Sequence, residues 1–152
     1  MQKGDKAPEV LGLDEQGKEI RLSQYAGRKL VLYFYPKDNT SGCTAEACSL
    51  RDHYKELQDA GYEVVGVSAD SAASHQKFIA KHDLPFPLIA DTEKRLSEIM
   101  GTWGEKSMYG RKYMGMFRTT FILNPDGTIE RIFPPKEIKT KTHAEQILAE
   151  KK

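Results

Sequence analysis

The sequence has few cysteines, no excess of one charge and no long hydrophobic run, and each shortage excludes a class of protein. Two cysteines among 152 residues are too few to staple a small secreted fold with disulfides. Lysine and arginine number 23 against 22 aspartates and glutamates, so a net charge of +1 gives no general attraction to nucleic acid or anionic lipid. No stretch approaches the ~18 apolar residues of a membrane span, and no signal-peptide core follows Met1. We therefore expect a cytoplasmic protein that acts on a small, neutral partner or substrate.

The length of the chain and the absence of repeats indicate one domain. A chain of 152 residues can bury a sizeable core but is short for two domains. Composition and periodicity reveal no internal repeat, low-complexity tract or flexible linker. The sequence also lacks a phosphate-binding loop and a dinucleotide fingerprint. We predict a single domain over residues 1–152 and expect no cofactor.

Predicted strands and helices alternate along most of the chain. The patterns favour strands at 29–35, 63–69, 87–90, 119–123 and 128–133. They favour helices at 44–60, to residue 82 after a cap at Ser71, to residue 100 after a cap at Asp91, and from 142 onward. Residues 124–127, with the sequence NPDG, have the chemistry of a tight turn and predict a hairpin. The order β-α-β-α-β-α-β-β-α predicts an α/β fold with a mixed sheet and helices on both faces. Ligands of such sheets bind beyond the carboxyl ends of the strands, which directs attention to the loop after Tyr35.

A cysteine stands at the start of the helix that follows this loop. Cys43 immediately precedes the first predicted helical residue. Free backbone N–H groups and the positive end of the helix dipole favour a thiolate at such a position. We therefore predict a nucleophilic Cys43, and the alternative is a small buried hydrophobic side chain.

The second cysteine follows the first by five residues. In a regular helix this spacing means a rise of about 7.5 Å and a rotation of about 140°, so the two sulfurs point apart. The Cα atoms would then lie farther apart than the ~7 Å beyond which a disulfide needs backbone movement. A bond between Cys43 and Cys48 therefore requires local unwinding of the helix. The alternative for Cys48 is a core thiol that faces the sheet.

A set of short motifs, spread over nearly the whole chain, carries a family resemblance. The pattern Pro36-x-x-x-Thr40-x-x-Cys43, with Cys48 after it, is similar to the active-site signature of the peroxiredoxins and of their bacterioferritin comigratory protein (Prx Q) subfamily. Further matching segments are 4–8, 32–40, 47–52, 104–106, 109–110 and 118–122. Ser41 departs from the proline that is typical of this subfamily, a change that removes no catalytic group.

This resemblance implies a thioredoxin-like fold of the peroxiredoxin type and a thiol peroxidase for hydrogen peroxide and organic hydroperoxides. Cys43 would attack the terminal peroxide oxygen and become a sulfenic acid. Cys48 would resolve that sulfenic acid as an intramolecular disulfide, and thioredoxin or a similar dithiol would reduce the disulfide. The resemblance favours a monomer, with a weak homodimer as the alternative.

Further site residues acquire roles from the same resemblance. The Thr40 hydroxyl would donate to a peroxide oxygen or accept the hydroperoxide proton, unless it only forms a turn. Arg118 corresponds to the active-site arginine of the family and would stabilise the thiolate and the developing oxyanion. Pro36 would shape the pocket and shield Cys43 from water. Glu46 either positions Arg118 or is simply solvated on the helix surface.

Other polar residues receive structural interpretations. Asp38 and Asn39 are predicted to form a turn. The histidines His75, His82 and His143 have no partner pattern, so we expect them on the surface.

Two remaining features of the sequence could have a functional or a purely structural role. Cys43, Cys48 and His53 would lie on diverging faces of one helix, so we predict no metal site. The segment 103–117 mixes methionine and tyrosine with glycine and basic residues without clean periodicity. It could form an apolar collar over the peroxide pocket, a contact surface for thioredoxin or a second subunit, or plain packing.

Two other functions compete with the peroxidase. A thioredoxin-fold disulfide reductase would need the C-x-x-C spacing, which the chain lacks. A non-enzymatic redox sensor or holdase could use the same two cysteines without appreciable turnover, and only an activity measurement separates it from the enzyme.

Overall fold

The structure is a computed structural model that describes residues 1–150, and residues 151–152 of the predicted domain lie outside the described part. The strands are β1 Val10–Leu13, β2 Glu19–Arg21, β3 Lys29–Phe34, β4 Tyr62–Ser68, β5 Leu88–Ala90, β6 Trp103–Met108, β7 Arg111–Met116, β8 Thr119–Leu123 and β9 Ile129–Phe133. The helices are α1 Ser41–Asp52, α2 Tyr54–Asp59, α3 Ala72–His82, α4 Arg95–Ile99 and α5 His143–Ala149. Short 3-10 turns occupy Leu22–Tyr25, Pro135–Glu137 and Thr140–Thr142.

Five of these strands form the central sheet, in the order β5-β4-β3-β8-β9. β3 and β5 run parallel to β4, whereas β8 is antiparallel to both β3 and β9. The turn predicted at 124–127 joins β8 to β9, and the Gly127 N–H donates to the Asn124 carbonyl at 2.8 Å. The predicted mixed sheet is therefore confirmed.

The central strand β3 supplies side chains to both faces of the sheet. Because successive side chains of a strand alternate, two hydrophobic clusters form on opposite faces. α1, α2, α3 and α5 cover one cluster, while α4 and the β1–β2 hairpin cover the other. One face takes Val31, Tyr33 and Tyr35, and the other takes Leu30, Leu32 and Phe34. Burial on both faces explains why β3 reads as a continuous apolar run rather than as an alternating one.

The predicted helix at 44–60 is two helices in the structure. His53 has a φ of −109° and a ψ of 15°, which ends α1 before α2 begins at Tyr54. Its ring nitrogen Nδ1 lies 3.0 Å from the Ser49 carbonyl, and its backbone N–H donates to the same carbonyl at 3.2 Å. The break is therefore a kink at a residue whose side chain contacts its own helix.

The helix predicted at 91–100 is also shorter than expected. Lys94 adopts a left-handed φ of 60°, so α4 begins only at Arg95. The predicted capping residue Asp91 still accepts hydrogen bonds from the backbone N–H groups of Leu96, at 3.2 Å, and Ser97, at 2.8 Å. Its carboxylate thus accepts from free N–H groups at the start of the helix although Asp91 lies outside the helix.

Two hairpins were not predicted, β1–β2 before the central sheet and β6–β7 within segment 103–117. Within residues 1–150, β6 and β7 pair only with each other and are joined by Tyr109 and Gly110, both with positive φ. This two-residue loop has the backbone signs of the hairpin turns that match strand twist. Among residues 1–150, the helices are too short or too polar to span a membrane.

Candidate active site

The chain between β3 and α1 carries the predicted nucleophile to one edge of the sheet. Tyr35 extends the strand by donating its N–H to the Val67 carbonyl at 3.0 Å, and Pro36 follows without an N–H to continue the pairing. Residues 38 and 39 form the predicted turn, in which Asn39 has a φ of 64°. α1 then begins beyond the carboxyl end of β3, the edge at which ligands of such sheets bind.

Thr40 occupies the N-cap position of α1 and faces this turn. Its carbonyl accepts the N–H of Thr44 at 2.8 Å, and its hydroxyl donates to the Lys37 carbonyl at 2.8 Å. The hydroxyl proton is thus committed, while the oxygen lone pairs remain available to accept. The turn interpretation describes this bond, and the role of Thr40 toward a hydroperoxide stays a prediction.

Cys43 lies in the first turn of α1, which begins at Ser41 and so starts earlier than predicted. The backbone N–H groups of this turn have no partner within the helix. The side chain is 1% exposed and packs against the core cluster beneath α1. Its Sγ nevertheless accepts a hydrogen bond from Arg118 Nη2 at 3.3 Å. Pro36 is partly buried, and its shielding of Cys43 stays a prediction.

Arg118 lies between β7 and β8 and joins the sulfur to a buried carboxylate. Its Nη1 donates to Glu46 Oε1 at 2.7 Å while Nη2 contacts Cys43, so one guanidinium bridges both groups. Burial alone would lower the pKa of Arg118, but the charges of Glu46 and Cys43 outweigh it and raise that pKa. The guanidinium is therefore a fixed positive charge against the sulfur.

Glu46 is fully buried, so its interpretation as a solvated helix residue is wrong. Burial raises the pKa of Glu46 to about 7, although the charge and hydrogen bond of Arg118 lower it in part. Within residues 1–150 its second oxygen, Oε2, has no hydrogen-bond partner and lies 3.8 Å from His143 Nε2. The carboxyl group thus holds Arg118 with one oxygen and leaves the other unsatisfied in the interior.

His143 was expected on the surface, and that expectation is wrong because the side chain is fully buried. Its Nδ1 donates to Gln146 Oε1 at 2.9 Å, and its Nε2 accepts from the Thr120 hydroxyl at 2.8 Å. Burial, with a smaller contribution from the charge of Arg118, lowers the pKa of His143 to about 4 against the opposing hydrogen bond to Gln146, so the ring is neutral. The spacing of four to buried Ile147 was the signal that could have predicted its burial.

The other two histidines expected on the surface differ from each other. His75 is fully buried, so the expectation is wrong, and its spacing of three to the buried Phe78 was again the available signal. His82 is only partly exposed at the end of α3. Asp38, predicted only to form a turn, does so but also buries its carboxylate against His75 at 2.7 Å.

Cys48 lies farther along α1 and is half-buried, in contrast to Cys43. Both thiols are free, and both belong to the same helix as predicted. Since that helix is regular through both positions, joining the two sulfurs needs the predicted unwinding. In the described residues, Cys43, Cys48 and His53 do not come together as a group of metal ligands.

The β6–β7 hairpin brings a second cation toward the same site. Lys106 Nζ lies 5.4 Å from the centroid of the Phe117 ring, next to Arg118. Burial lowers the pKa of Lys106, and the charge of Arg118 lowers it further, whereas Cys43 opposes the shift. Sequence reasoning gave Lys106 no role, because an isolated lysine on a strand has no local pattern to mark it.

The same hairpin exposes large apolar side chains, which makes plain packing the wrong interpretation for them. Tyr109 at the tip is 98% exposed. The other exposed members are Met108, Tyr113 and Met114. A collar or a contact surface remains open for this part of segment 103–117.

Comparisons with known proteins show which family this chain resembles. Residues 3–132 match the model of the AhpC/TSA family. The chain is 40% identical to peroxiredoxin Bcp of Bacillus subtilis, over 95% of this chain and 91% of that protein, and 39% identical to peroxiredoxin Bcp of Escherichia coli strain K12, over 95% and 92%. Among solved structures, peroxiredoxin Q of Xanthomonas campestris superposes with a TM-score of 0.83 at 37% identity, over 91% of this chain and 87% of that one. A cysteine variant of PrxQ from Xylella fastidiosa gives 0.88 at 33% identity, over 99% and 94%.

Proposed function

This chain belongs to the AhpC/TSA family as a peroxiredoxin similar to Bcp and PrxQ, and we propose that it reduces hydroperoxides by a two-cysteine cycle. The observation that carries this proposal is the contact of 3.3 Å between Arg118 Nη2 and Cys43 Sγ in the first turn of α1. A fixed positive charge and free helix N–H groups at one sulfur favour the thiolate that attacks peroxides.

The first step is attack by the Cys43 thiolate on the terminal oxygen of the hydroperoxide. An S–O bond forms, the O–O bond breaks, and the departing alkoxide takes up a proton to leave as an alcohol, or as water from hydrogen peroxide. The Thr40 oxygen would accept the hydroperoxide O–H, since its own proton is donated to Lys37. Arg118 would stabilise the negative charge that moves from sulfur to oxygen. Pro36 would limit the access of water.

The second step is attack by the Cys48 thiol on the sulfur of the sulfenic acid. An S–S bond forms and water leaves, which gives an intramolecular disulfide. The first turn of α1 must unwind for this step, because the two cysteines stand five positions apart on a regular helix. Unwinding removes Cys43 from the core and breaks its contact with Arg118, so oxidation exchanges buried contacts for a covalent bond.

A dithiol reductant, thioredoxin or a similar protein, would return the disulfide to two thiols and complete the cycle. Hydrogen peroxide and organic hydroperoxides would both be substrates, and alkyl peroxide reduction is described for a relative, the bacterioferritin comigratory protein of Xanthomonas campestris. We further propose that residues 1–152 form one domain, that the enzyme is a monomer or a weak homodimer, and that it works in the cytoplasm, where such reductants act.

A coupled assay with thioredoxin, thioredoxin reductase and NADPH tests the cycle. Wild type should consume NADPH only when peroxide is added. In Cys43→Ser this rate should fall by more than ~10³-fold, because the nucleophile is gone. Cys48→Ser should form the sulfenic acid at the wild-type rate in a single turnover, detected with a sulfenic-acid trapping reagent, and then stall. The double variant supplies the background.

Two outcomes would contradict parts of the proposal. Peroxide that oxidises the wild-type cysteines without NADPH turnover would favour the redox sensor or holdase. Normal cycling of Cys48→Ser with thioredoxin would show that Cys48 is not the resolving residue.

A further inference from the structure

One peptide group next to the active site is held at both of its ends. The peptide between Lys37 and Asp38 contributes a carbonyl that accepts the Thr40 hydroxyl at 2.8 Å. Its N–H, on Asp38, donates to Asp70 Oδ2 at 2.8 Å. The orientation of the Thr40 hydroxyl therefore depends on a peptide plane that a carboxylate fixes from the opposite side.

Asp70 is itself held in place from the end of β4. Its Oδ2 accepts the Ser68 hydroxyl at 2.7 Å in addition to the Asp38 N–H. A peptide N–H that donates to a negative group polarises its carbonyl, which becomes a stronger acceptor. Asp70 thus both orients the Lys37 carbonyl and strengthens the bond that this carbonyl accepts from Thr40.

The Asp38 side chain anchors the same peptide group to α3. Its Oδ1 accepts the Tyr35 hydroxyl at 2.6 Å, and its Oδ2 accepts from the Ser74 hydroxyl at 2.8 Å and from His75 Nδ1 at 2.7 Å. Burial would raise the pKa of Asp38, but the hydrogen bonds of His75 and Tyr35 outweigh it and lower that pKa. The carboxylate therefore remains ionised at the centre of the anchor.

His75 completes the anchor with both ring nitrogens. Its Nε2 lies 2.9 Å from the Ile89 carbonyl, which can only accept, while Nδ1 faces the Asp38 carboxylate. The ring therefore links the Asp38 carboxylate to the backbone of β5. Asp38, Asp70 and His75 are grouped closely enough to suggest metal ligands, but these hydrogen bonds account for the grouping without an ion.

We propose that Asp70 is a positioning residue for the peroxidase step, acting through the Lys37–Asp38 peptide on the Thr40 hydroxyl. The proposal rests on the peroxidase function proposed above and assigns this network to its first step. With the peptide fixed, the Thr40 hydroxyl keeps donating to the Lys37 carbonyl. The lone pairs of the Thr40 oxygen then stay available to the substrate. Without Asp70 the peptide can rotate, and Thr40 loses the partner that fixes its proton.

A double-mutant cycle between Asp70 and Thr40 tests this coupling. The measured quantity is the second-order rate constant of Cys43 oxidation by hydrogen peroxide, in single turnover on the full chain. Asp70→Ala should lower it about tenfold, whereas Asp70→Asn, whose amide oxygen can still accept, should stay within about twofold. In a Thr40→Val background Asp70→Ala should have no further effect, because the group it positions is absent.

Controls separate positioning from a general loss of structure. Asp59→Ala removes an exposed carboxylate on α2 and should leave the rate unchanged. If Asp70→Ala does not fold, Asp70→Glu, which keeps the charge but displaces its oxygens, should show the same dependence on Thr40.

The inference and the peroxidase proposal fail in different ways. Absence of peroxide-dependent turnover in wild type would contradict the peroxidase. An active wild type would overturn the inference alone if Asp70→Ala reacted at the wild-type rate, if its loss persisted undiminished in Thr40→Val, or if Thr40→Val had no effect.

Discussion

The cluster behind Cys43 buries charge, whereas the β6–β7 hairpin exposes large apolar side chains. Arg118 has a side chain only 18% exposed, and its partner Glu46 is fully buried. On the hairpin, Tyr109 and Met114 are open to solvent instead. Each region thus reverses the usual distribution of polar and apolar groups.

The two reversals carry different costs. A buried polar atom without a partner, such as Glu46 Oε2, costs about 1–3 kcal/mol. Exposed apolar side chains on a two-stranded hairpin cost little in the folded state, but they forgo the burial that stabilises a fold. The buried charge therefore needs a compensating function more than the hairpin does, and its contact with Cys43 supplies one.

Within the buried cluster, substitution of Arg118 should have the largest effect on the reaction of Cys43 with peroxide. Arg118→Lys keeps the charge but cannot contact Glu46 and Cys43 at once, because an ammonium lacks the planar fork. We expect the rate constant of Cys43 oxidation by peroxide to fall by about 10²-fold, measured in single turnover. Arg131→Lys is the matched control and should leave the rate unchanged, since Arg131 also bridges two groups, the carboxylates of Glu137 and Glu150. Equal rates for Arg118→Lys and wild type would contradict the role of the bridging guanidinium in the reaction.

The second prediction concerns the pH dependence of stability within the buried cluster. Burial raises the pKa of Glu46 to about 7, so its contribution to stability is present below pH 4.5 and lost as the pH rises to 7. Burial lowers the pKa of His143 from 6.5 to about 4, so its contribution is present above pH 6.5 and lost as the pH falls to 4. In the shared window, between roughly pH 4.5 and 6.5, the two effects cancel in wild type.

Single substitutions should expose the two slopes separately. Relative to wild type, the free energy of unfolding of Glu46→Gln should fall by about 1.4 kcal/mol per pH unit as the pH decreases through that window. His143→Gln should show the opposite slope, and denaturant titrations at several pH values measure both. Exposed Glu145→Gln is the control and should follow wild type. Parallel profiles for all variants would mean that the cluster does not hold these protons.

Two kinds of element could be predicted from the sequence: strands that are buried on both faces, and turns that are fixed by residues close in sequence. β3 and β4 read as apolar runs because both of their faces are covered, and the turn at 124–127 is fixed by its own residues. The hairpin β6–β7 gave no signal, because neither of its faces is buried enough to impose an alternating pattern. The kink at His53 depends on one contact between a side chain and a carbonyl, which periodicity does not register.

The residues of the site likewise divide into those that local sequence predicts and those that it does not. Cys43 at a helix start follows from local order alone, because the strand, Pro36 and the helix are consecutive. Arg118 stands 75 residues from Cys43, so only the family resemblance identified it. The burial of Glu46 depends on that distant arginine and on the docking of α5, which no window of sequence contains, whereas the burial of His143 had a local signal in its spacing to Ile147.

The last and smallest expected effect tests whether the hairpin and the buried cluster act independently. Lys106 and Lys112 both belong to the hairpin, but only Lys106 reaches Phe117 and the charges around Cys43, whereas Lys112 is exposed beside Glu105. Lys106→Met should lower the rate of Cys43 oxidation about twofold to fivefold at low salt, and less at high salt because the charge is partly screened. Lys112→Met should leave that rate unchanged. If both variants reacted alike, the hairpin would contribute no charge to the site, and its exposed apolar side chains would need an explanation separate from the chemistry of Cys43.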